Sequence, residues 1–403
     1  MTKLDELIQE LCPDGVKYYI LNTVCNVYDG THKTPKYTDS GIKFASVENI
    51  ADPYATEKYI SISDYEKYKI KPQRNDLLMT RIGSIGVCTV LESDEPLAYY
   101  VSLALLRPNN NELNSRYLKY AIESLHCRKE LRKRTLVNAV PIKINMGDIG
   151  KITLPVPPLP VQREIVRILD NFAELTAELT AELTARKQQY AYYRDKLLTP
   201  RTDYRHGKII DMLKQPITDG PHTTPELMED GIPFLSVEAV FDGKIHFEKR
   251  RGNITPEFDA ECCKKYKPQK HDIFMVKSGS TTGKVGYVDT DERFNIWSPL
   301  AAMRVNSENS SRYLFHLLQS KMVQQQVVAK ASHGSQPNLS MRALEQFDVV
   351  IPPLDIQLRL ANVLDNFDAI CTDLNIGLPA EIEARQKQYE YYRDKLLTFT
   401  PAD

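Results

Sequence analysis

The sequence contains no apolar run long enough to cross a membrane, and its N-terminus lacks the apolar segment of a secretory signal. A spanning helix needs about 20 mostly apolar residues, and a signal peptide needs an apolar core behind its first residues. Seven cysteines without any Cys-x-x-Cys pair argue against a disulfide framework or a zinc site. We therefore expect a cytoplasmic protein with no membrane partner and no metal site.

A strong charge of either sign is also missing, since the formal net charge is −1. This balance argues against a protein that coats nucleic acid without regard to sequence, which would be strongly basic. Two local basic runs, at residues 128–134 and 249–251, leave sequence-specific binding open. Either run could equally be a solvated helix face or loop.

The common catalytic motifs are absent. No His-Glu-x-x-His, Gly-x-Ser-x-Gly or dinucleotide-binding glycine pattern occurs. The segment 52–54 lacks the second proline of an amino-methyltransferase motif, and the glycine loop at 279–284 is one residue too short for a nucleotide-binding loop, with Val285 after the lysine. We therefore expect no catalytic residues in this chain.

What the sequence does contain is a long internal repeat. Residues 186–199 and 385–398 are identical at eleven of fourteen positions. Residues 28–50 and 218–240 are identical at eleven of 23 positions, and both contain Asp-Gly-x-His-x-Thr-Pro. Because the matches follow the same order in both halves, the chain is a duplication. We expect two copies of one unit in a pseudo-twofold arrangement, with two similar surfaces.

Two long helices are predicted. Residues 161–198 contain no proline or glycine and space their apolar residues by three and four, which indicates one helix of roughly 55 Å. The second copy runs from residue 355 to about 398, where Gly377 and Pro379 predict a kink or break. We expect the two helices to pack as an antiparallel coiled coil. The candidate scaffold residues are Leu175, Leu179, Leu183, Tyr190, Tyr193, Leu374, Leu378, Tyr389 and Tyr392.

The first helix contains Ala-Glu-Leu-Thr three times in succession, at residues 173–184. Phe172 and Arg186 are 14 residues apart, while their counterparts Phe367 and Arg385 are 18 apart, a difference of one tetrapeptide. Four helical residues add about 6 Å. We interpret the repeat as a ruler between two recognition units, with replication slippage in a tolerant helix as the alternative.

The segments before the helices are predicted to be mixed α/β. Short apolar runs predict strands, at residues 42–47, 76–80, 101–106, 232–237, 272–276 and 301–305. Helices are predicted at residues 115–133 and 311–330. The fold class is therefore α+β, with domains at 1–155 and 201–350 and helical spacers at 156–200 and 351–403.

Three polar loops recur in both copies, at residues 29–35, 81–84 and 137–143 and at their counterparts 219–225, 277–280 and 333–338. Histidine, threonine and lysine on tight turns can bind phosphates or base edges. Asp-Gly and Thr-Pro are also ordinary turn sequences, and the third loop could simply connect elements. The candidate DNA-contacting residues are His32, Lys33, Thr34, Arg81, Ser84, His222, Thr223, Thr224, Lys277, Ser280, Lys284 and Gln336.

Two variable domains, each followed by a helix ending in Gln-Tyr-x-Tyr-Tyr-Arg-Asp-Lys-Leu-Leu, resemble the specificity subunit of type I restriction–modification systems. Pro-Pro-Leu-x-x-Gln at residues 157–162 and 352–357 resembles the start of that family's conserved helix. The Ala-Glu-Leu-Thr repeat resembles the spacer of one subclass, in which the repeat number sets the gap in the target. The resemblance covers nearly the whole chain.

The resemblance implies that each variable domain is a target recognition domain for one half of a bipartite, asymmetric double-stranded DNA sequence. It implies two methyltransferase subunits that carry S-adenosylmethionine and dock around the helices. It also implies restriction/translocase subunits that use ATP and Mg, all in a prokaryotic cytoplasm. This chain would supply specificity and a scaffold, without a cofactor or catalysis of its own.

Two other classes of function stay open. A coiled-coil adaptor that binds only protein would leave the duplicated loops unexplained. A stand-alone nucleic-acid enzyme would need catalytic motifs that the sequence does not show.

Overall fold

The computed structural model describes residues 2–199, 203–332, 336–372 and 377–402. It forms two compact units. Unit 1 lies within residues 1–178 and 383–403, and unit 2 within residues 179–382. The domains predicted from the sequence are consecutive stretches of the chain. Each compact unit instead contains one recognition domain and parts of both helical spacers.

The elements of the first half come first in chain order. The helices are α1 (Lys3–Leu11), α2 (Leu21–Val24), α3 (Ile62–Tyr65), α4 (Ser115–Glu123), α5 (Leu125–Arg134), α6 (Met146–Ile149) and α7 (Leu159–Leu197). The strands are β1 (Tyr18–Ile20), β2 (Cys25–Asp29), β3 (Tyr37–Thr38), β4 (Ile42–Ala45), β5 (Tyr59–Ile60), β6 (Leu77–Thr80), β7 (Cys88–Val90), β8 (Leu97–Tyr99), β9 (Leu103–Pro108), β10 (Thr135–Leu136), β11 (Lys143–Ile144) and β12 (Thr153–Pro155).

The second half repeats much of this order. The helices are α8 (Pro256–Lys265), α9 (Ser311–Gln319), α10 (Lys321–Lys330), α11 (Met341–Glu345), α12 (Leu354–Thr372) and α13 (Leu378–Leu396). The strands are β13 (Arg205–Lys208), β14 (Thr218–Asp219), β15 (Ile232–Leu235), β16 (Val240–Phe241), β17 (Lys244–Ile245), β18 (Gly252–Ile254), β19 (Ile273–Val276), β20 (Val285–Tyr287), β21 (Asn295–Ile296), β22 (Leu300–Met303) and β23 (Asp348–Ile351).

Each unit is built around an equivalent four-stranded antiparallel sheet. The strand order is β2-β9-β6-β7 in unit 1 and β14-β22-β19-β20 in unit 2. The side chains of β6 and β19 are buried on both faces, which explains their continuous apolar sequences. A second sheet, with order β3-β5-β4-β8 in unit 1 and β18-β15-β21 in unit 2, contains one parallel pair in each case. The predicted α+β class is confirmed.

Residues 18–155 and 205–351, which correspond to the two recognition domains predicted from the sequence and which we call the recognition segments, each begin and end on one antiparallel strand pair. β1 pairs with β12, with Tyr18 opposite Pro155. β13 pairs with β23, with Arg205 opposite Ile351. The chain therefore enters and leaves each segment at adjacent strands, next to the start of α7 or α12.

The prediction of single helices at residues 115–133 and 311–330 was wrong. Each is two helices that meet at a serine, Ser124 or Ser320, whose backbone is extended. The serine side chain accepts a hydrogen bond from the backbone N–H of the third residue beyond it, as an N-cap does. No proline or glycine accompanies the break, so residue composition gave no sign of it.

The helical spacers pair within each unit. α7 is 39 residues long, and the second spacer forms α12 and α13, with Gly377 in a bend before α13. In unit 1, Phe172 of α7 stacks on Tyr392 of α13 at 5.4 Å between ring centroids. In unit 2, Tyr193 of α7 stacks on Phe367 of α12 at 5.5 Å. The first part of α7 thus packs on α13 and its last part packs on α12. This order of contacts is the one expected for antiparallel helices.

Among the described residues, no helix is both long enough and apolar enough to span a membrane.

Candidate nucleic-acid interface

In unit 1, the first polar loop is held by the carboxylate of Asp29, the last residue of β2. Arg81 Nη1 donates to Asp29 Oδ1 at 2.9 Å, and His32 Nε2 lies 2.7 Å from Asp29 Oδ2. Arg81 Nη1 also donates to the carbonyl of Val101 at 2.9 Å. Because Arg81 is only 7% exposed, its guanidinium joins the first and second loops from beneath, while the ring of His32 is exposed at the surface.

Unit 2 repeats this arrangement with different basic residues. Asp219 is buried, and Lys277 Nζ lies 3.3 Å from its Oδ2. Lys265 forms a second ion pair with the same carboxylate. His222 Nε2 lies 3.3 Å from Asp219 Oδ2, and its ring is exposed like that of His32. The aspartate of Asp-Gly-x-His is therefore the counter-ion that fixes the loop in both units.

The second and third loops are joined by backbone hydrogen bonds. In unit 1, Gly83 N donates to the carbonyl of Ile142, and Ile144 N donates to that of Arg81. In unit 2, Gly279 N donates to the carbonyl of Pro337, and Leu339 N to that of Lys277. In each unit we call the surface formed by these loops the three-loop edge. Its described residues are 29–35, 81–84 and 137–143 in unit 1 and 219–225, 277–284, 331–332 and 336–338 in unit 2. Residues 333–335 lie outside the described part.

Glycine is required where the first loop begins. A Cβ on Gly30 would lie 2.4 Å from the carbonyl oxygen of Tyr100, and one on Gly220 would lie 1.8 Å from that of Ile296. Both distances are far below contact distance with backbone that cannot move aside. The Asp-Gly pair is thus set by close packing as well as by turn preference.

The structure places most of the candidate DNA-contacting residues at the surface. Those exposed on the three-loop edge are His32, Lys33, Thr34, Ser84, His222, Thr223, Thr224, Ser280, Lys284 and Gln336. Arg81 and Lys277 are largely covered and point into the ion pairs with Asp29 and Asp219. DNA contact by any of these residues stays a prediction, and the geometry of Arg81 and Lys277 favours positioning of the loops.

The candidate scaffold tyrosines pack in two ways, Tyr193 and Tyr392 on the other spacer helix and Tyr190 and Tyr389 on helices α9 and α4. Tyr190 is buried and its hydroxyl lies 2.8 Å from Nδ1 of His316, and Tyr389 packs edge-on against Tyr120. Tyr193 and Tyr392 form the stacked pairs described above. Among the leucines, Leu179, Leu183 and Leu378 are partly buried and Leu175 is half exposed. Leu374 lies outside the described residues.

The repeated Arg-Asp of the helical motif has a role that we did not predict. Asp195 Oδ1 accepts from the backbone N of Lys321 at 2.9 Å, at the start of α10. Asp394 Oδ1 accepts from the backbone N of Leu125 at 2.9 Å, at the start of α5. A carboxylate is favourable at the positive end of a helix. In each unit, the motif therefore anchors the spacer helix to the recognition segment. Its near-identity in both copies was the signal that could have indicated this.

A second contact between the spacer helix and the recognition segment uses different residues in the two units. In unit 1, the hydroxyl of Tyr120 donates to Asp170 at 2.5 Å. In unit 2, the equivalent residue is His316, whose Nε2 lies 2.6 Å from Asp365 Oδ1. Burial lowers the pKa of His316 below its usual value, despite the neighbouring Asp365. A neutral ring that accepts from Tyr190 and donates to Asp365 satisfies both contacts.

The paired glutamines Gln162 and Gln357 fix the start of each conserved helix. Both side chains are fully buried. Gln162 Oε1 accepts from the backbone N of Asn114 at 2.8 Å, and Gln357 Oε1 from that of Ser310 at 2.9 Å. Since both acceptors cap the helix-start residues of α4 and α9, the Pro-Pro-Leu-x-x-Gln motif is structural.

Comparison with known proteins agrees with this duplicated geometry. The family model for the type I restriction modification DNA specificity domain matches the chain twice, at residues 13–186 and 221–384. The specificity subunit of a type I restriction enzyme from Escherichia coli is 34% identical over 62% of this chain, and the match spans 63% of that relative's length. A putative specificity subunit from Haemophilus influenzae is 32% identical over 72% of this chain and 73% of its own length.

Two solved structures share the fold at low identity. A type I restriction–modification S subunit from M. genitalium matches with a TM-score of 0.51 and 13% identity, over 95% of this chain and 96% of that chain. A chain from a study of assembly and conformational transition of the type I system matches with a TM-score of 0.62 and 13% identity, over 96% and 98%. With two family-model matches that together cover most of its length, this chain belongs to the type I restriction–modification DNA specificity family.

Proposed function

We propose that this chain is the DNA specificity subunit of a type I restriction–modification complex, in which unit 1 and unit 2 each read one half of a bipartite, asymmetric double-stranded target. The observation that carries the proposal is the three-loop edge. In both units equivalent backbone hydrogen bonds hold its loops, while the side chains that the loops present differ. DNA sequence is read by side chains at base edges. One frame with two sets of side chains is what two different half-sites require.

Exposed polar residues of the three-loop edge would make the DNA contacts. His32, Lys33 and Thr34 in unit 1 and His222 and Thr223 in unit 2 project from loops whose backbone is fixed from beneath. Such prior fixing lowers the entropy that binding costs. Lysine and histidine at this edge would bind phosphates or base acceptors, and the threonine hydroxyl would hydrogen-bond to a phosphate or to a base edge.

The helices would carry the partner subunits. The middle tyrosine of the repeated motif, Tyr192 in α7 and Tyr391 in α13, is about 60% exposed in each unit, while the tyrosines beside it pack inward. An exposed aromatic residue that recurs in both copies suits a docking contact. Two methyltransferase subunits carrying S-adenosylmethionine would dock here. Restriction/translocase subunits using ATP and Mg would complete the complex in a prokaryotic cytoplasm, and this chain would add no catalysis.

The test is a map of adenine methylation in cells that express the partner methyltransferase with or without this chain. A bipartite motif that is methylated only when this chain is present supports the proposal and gives both half-sites. Active methyltransferase without any chain-dependent motif would contradict it. That outcome would favour the coiled-coil adaptor, which binds only protein.

A further inference from the structure

The third loop of unit 1 is an apolar hairpin that projects from the three-loop edge. β10 and β11 pair in antiparallel fashion, with Thr135 opposite Ile144. In the turn between them, Val140 is 99% exposed and Val137 is 63% exposed. Leu136 and Ile142 of the same hairpin are also exposed, and contiguous exposed apolar patches mark interaction sites.

This hairpin is part of the candidate DNA interface. The backbone of Gly83 donates to Ile142 at 2.9 Å, and that of Ile144 donates to Arg81 at 3.0 Å. Arg81 in turn holds the loop of His32 through Asp29. A ligand that contacts His32 and Lys33 would therefore meet a hairpin whose base is fixed to the same ion pair.

Basic residues flank the apolar tip. α5 ends in Arg132, Lys133 and Arg134 directly before the hairpin, and Lys143 follows the turn. Glu130 pairs with Lys133 and Arg134. Within the described part of the chain, Arg132 and Lys143 have no acidic partner. Cations around an apolar tip fit phosphates on either side of a DNA groove, whereas a second copy of the same hairpin would be repelled.

Unit 2 has a polar loop at the equivalent place. The backbone joins pair Ile142 with Pro337 and Ile144 with Leu339, an offset of 195 residues. By this offset in the sequence, Ser332 corresponds to Val137 and Ser335 to Val140. Residues 333–335 lie outside the described part, and the residues on either side of them, Ser332 and Gln336, are polar and exposed.

We propose that Val137 and Val140 contact thymine 5-methyl groups in the half-site read by unit 1. The proposal rests on the proposed function. The thymine methyl is the apolar group that bases present in the major groove, and a two-stranded β-ribbon fits that groove. A valine side chain cannot hydrogen-bond to a base edge. It can therefore distinguish thymine from other bases only by apolar contact with the methyl group. The polar loop of unit 2 would read its half-site through hydrogen bonds instead.

The test measures binding of the full chain, with its methyltransferase subunits, to duplexes in which uracil replaces single thymines of the first half-site. Uracil lacks only the methyl group. For at least one position, the wild type should bind the uracil duplex about fivefold or more weakly. Val137→Ser with Val140→Ser, which introduces the residues of unit 2, should bind both duplexes equally. Ile62→Ser, which alters a residue 63% exposed in unit 1 outside the three loops, should keep the preference.

Equal wild-type binding to thymine and uracil duplexes at every position of the first half-site would overturn the proposal, and so would a double variant that keeps the preference. The second half-site controls for folding, because a folded variant must still bind the correct second half-site more tightly than one with altered base pairs. If the wild-type complex binds duplexes with altered base pairs in either half-site as tightly as the correct target, the proposed function itself fails, which is a different result.

Discussion

At the scale of single residues, the two units use one device with different chemistry. A buried or partly buried aspartate binds a basic residue beneath the surface and a histidine above it. The guanidinium of Arg81 in unit 1 is replaced by the ammonium groups of Lys277 and Lys265 in unit 2. This arrangement leaves the rings of His32 and His222 exposed beside the aspartate, where we propose that they contact DNA.

The two histidines should act on different halves of the target. His32→Ala is expected to weaken methylation that depends on the first half-site, and His222→Ala that on the second, each by about fivefold or more, the cost of losing one base contact. His206→Ala, at an exposed histidine of β13 outside the three loops, should change neither. Methylation rates on targets with one altered half measure this, and equal effects of both variants on both halves would contradict the assignment.

His316 should make the stability of unit 2 depend on pH. Burial lowers its pKa in the folded state. At a pH between the folded and the unfolded pKa, the unfolded chain therefore binds a proton at this ring and the folded unit does not. The stabilising contribution is present above the ordinary histidine pKa, and it is lost as pH falls through that value toward the lower folded pKa. The positive charge of Arg312 also lowers this pKa, whereas the negative charges of Asp365 and Asp368 raise it, and burial is the largest effect.

The chain's one tryptophan, Trp297, lies in unit 2 and reports on its unfolding. His316→Tyr introduces the residue that unit 1 has at this position, Tyr120. Thermal midpoints from tryptophan fluorescence should show wild-type stability falling relative to this variant between pH 8 and pH 5. A difference that stays constant over this range would rule out His316 as the source.

At the scale of elements, the spacer helix connects the two units through the Ala-Glu-Leu-Thr repeat. Along the chain, the boundary between unit 1 and unit 2 falls after Glu178, within the repeat at 173–184. The repeat residues lie on the continuous helix α7 and are mostly exposed. A change in their number should alter the distance along the helix without disturbing either core.

Deleting residues 177–180 should shorten the gap between the two half-sites and leave both half-sites unchanged. The loss of four helical residues is about 6 Å, which corresponds to one or two base-pair steps of about 3.4 Å. A methylation map of the deletion variant measures the gap. Replacing the same four residues by Ala-Gln-Leu-Ser keeps the length and should keep the gap. An unchanged gap in the deletion variant would refute the ruler.

Much of this architecture could be predicted from the sequence because each pattern occurs in both copies, so that one copy supports the interpretation of the other. The long helix α7, the strands β6 and β19 and the break near Gly377 follow from spacing, apolar runs and glycine. The serine breaks at Ser124 and Ser320 did not, because a serine inside a helical pattern is common and its capping role depends on backbone conformation.

The candidate site was predictable as loops but not as contacts. The repeated Asp-Gly-x-His motif located the first loop, but its aspartate was not recognised as the counter-ion of Arg81 or Lys277, because 52 or more residues separate the partners. A basic residue followed by Gly-Ser looked like a phosphate contact. Only packing shows that the charge of Arg81 is directed inward.

At the scale of the whole molecule, we propose that each unit reads one half-site independently of the other. The paired strands at the ends of each recognition segment make this testable. β1 with β12 and β13 with β23 are equivalent, so residues 18–155 can be replaced by residues 205–351 at matching strand ends. Gln162 and Asp394 of unit 1 would then meet the same backbone positions that Gln357 and Asp195 meet in unit 2.

The most direct measurement is the methylation motif specified by this chain with two copies of residues 205–351. We expect a bipartite motif whose two halves are copies of one half-site, namely the half-site that unit 2 reads in the wild type. The wild-type chain, expressed in parallel, should give two different halves. A chimaeric complex that methylates DNA and still requires the first half-site of the wild type would contradict independent reading by the two units.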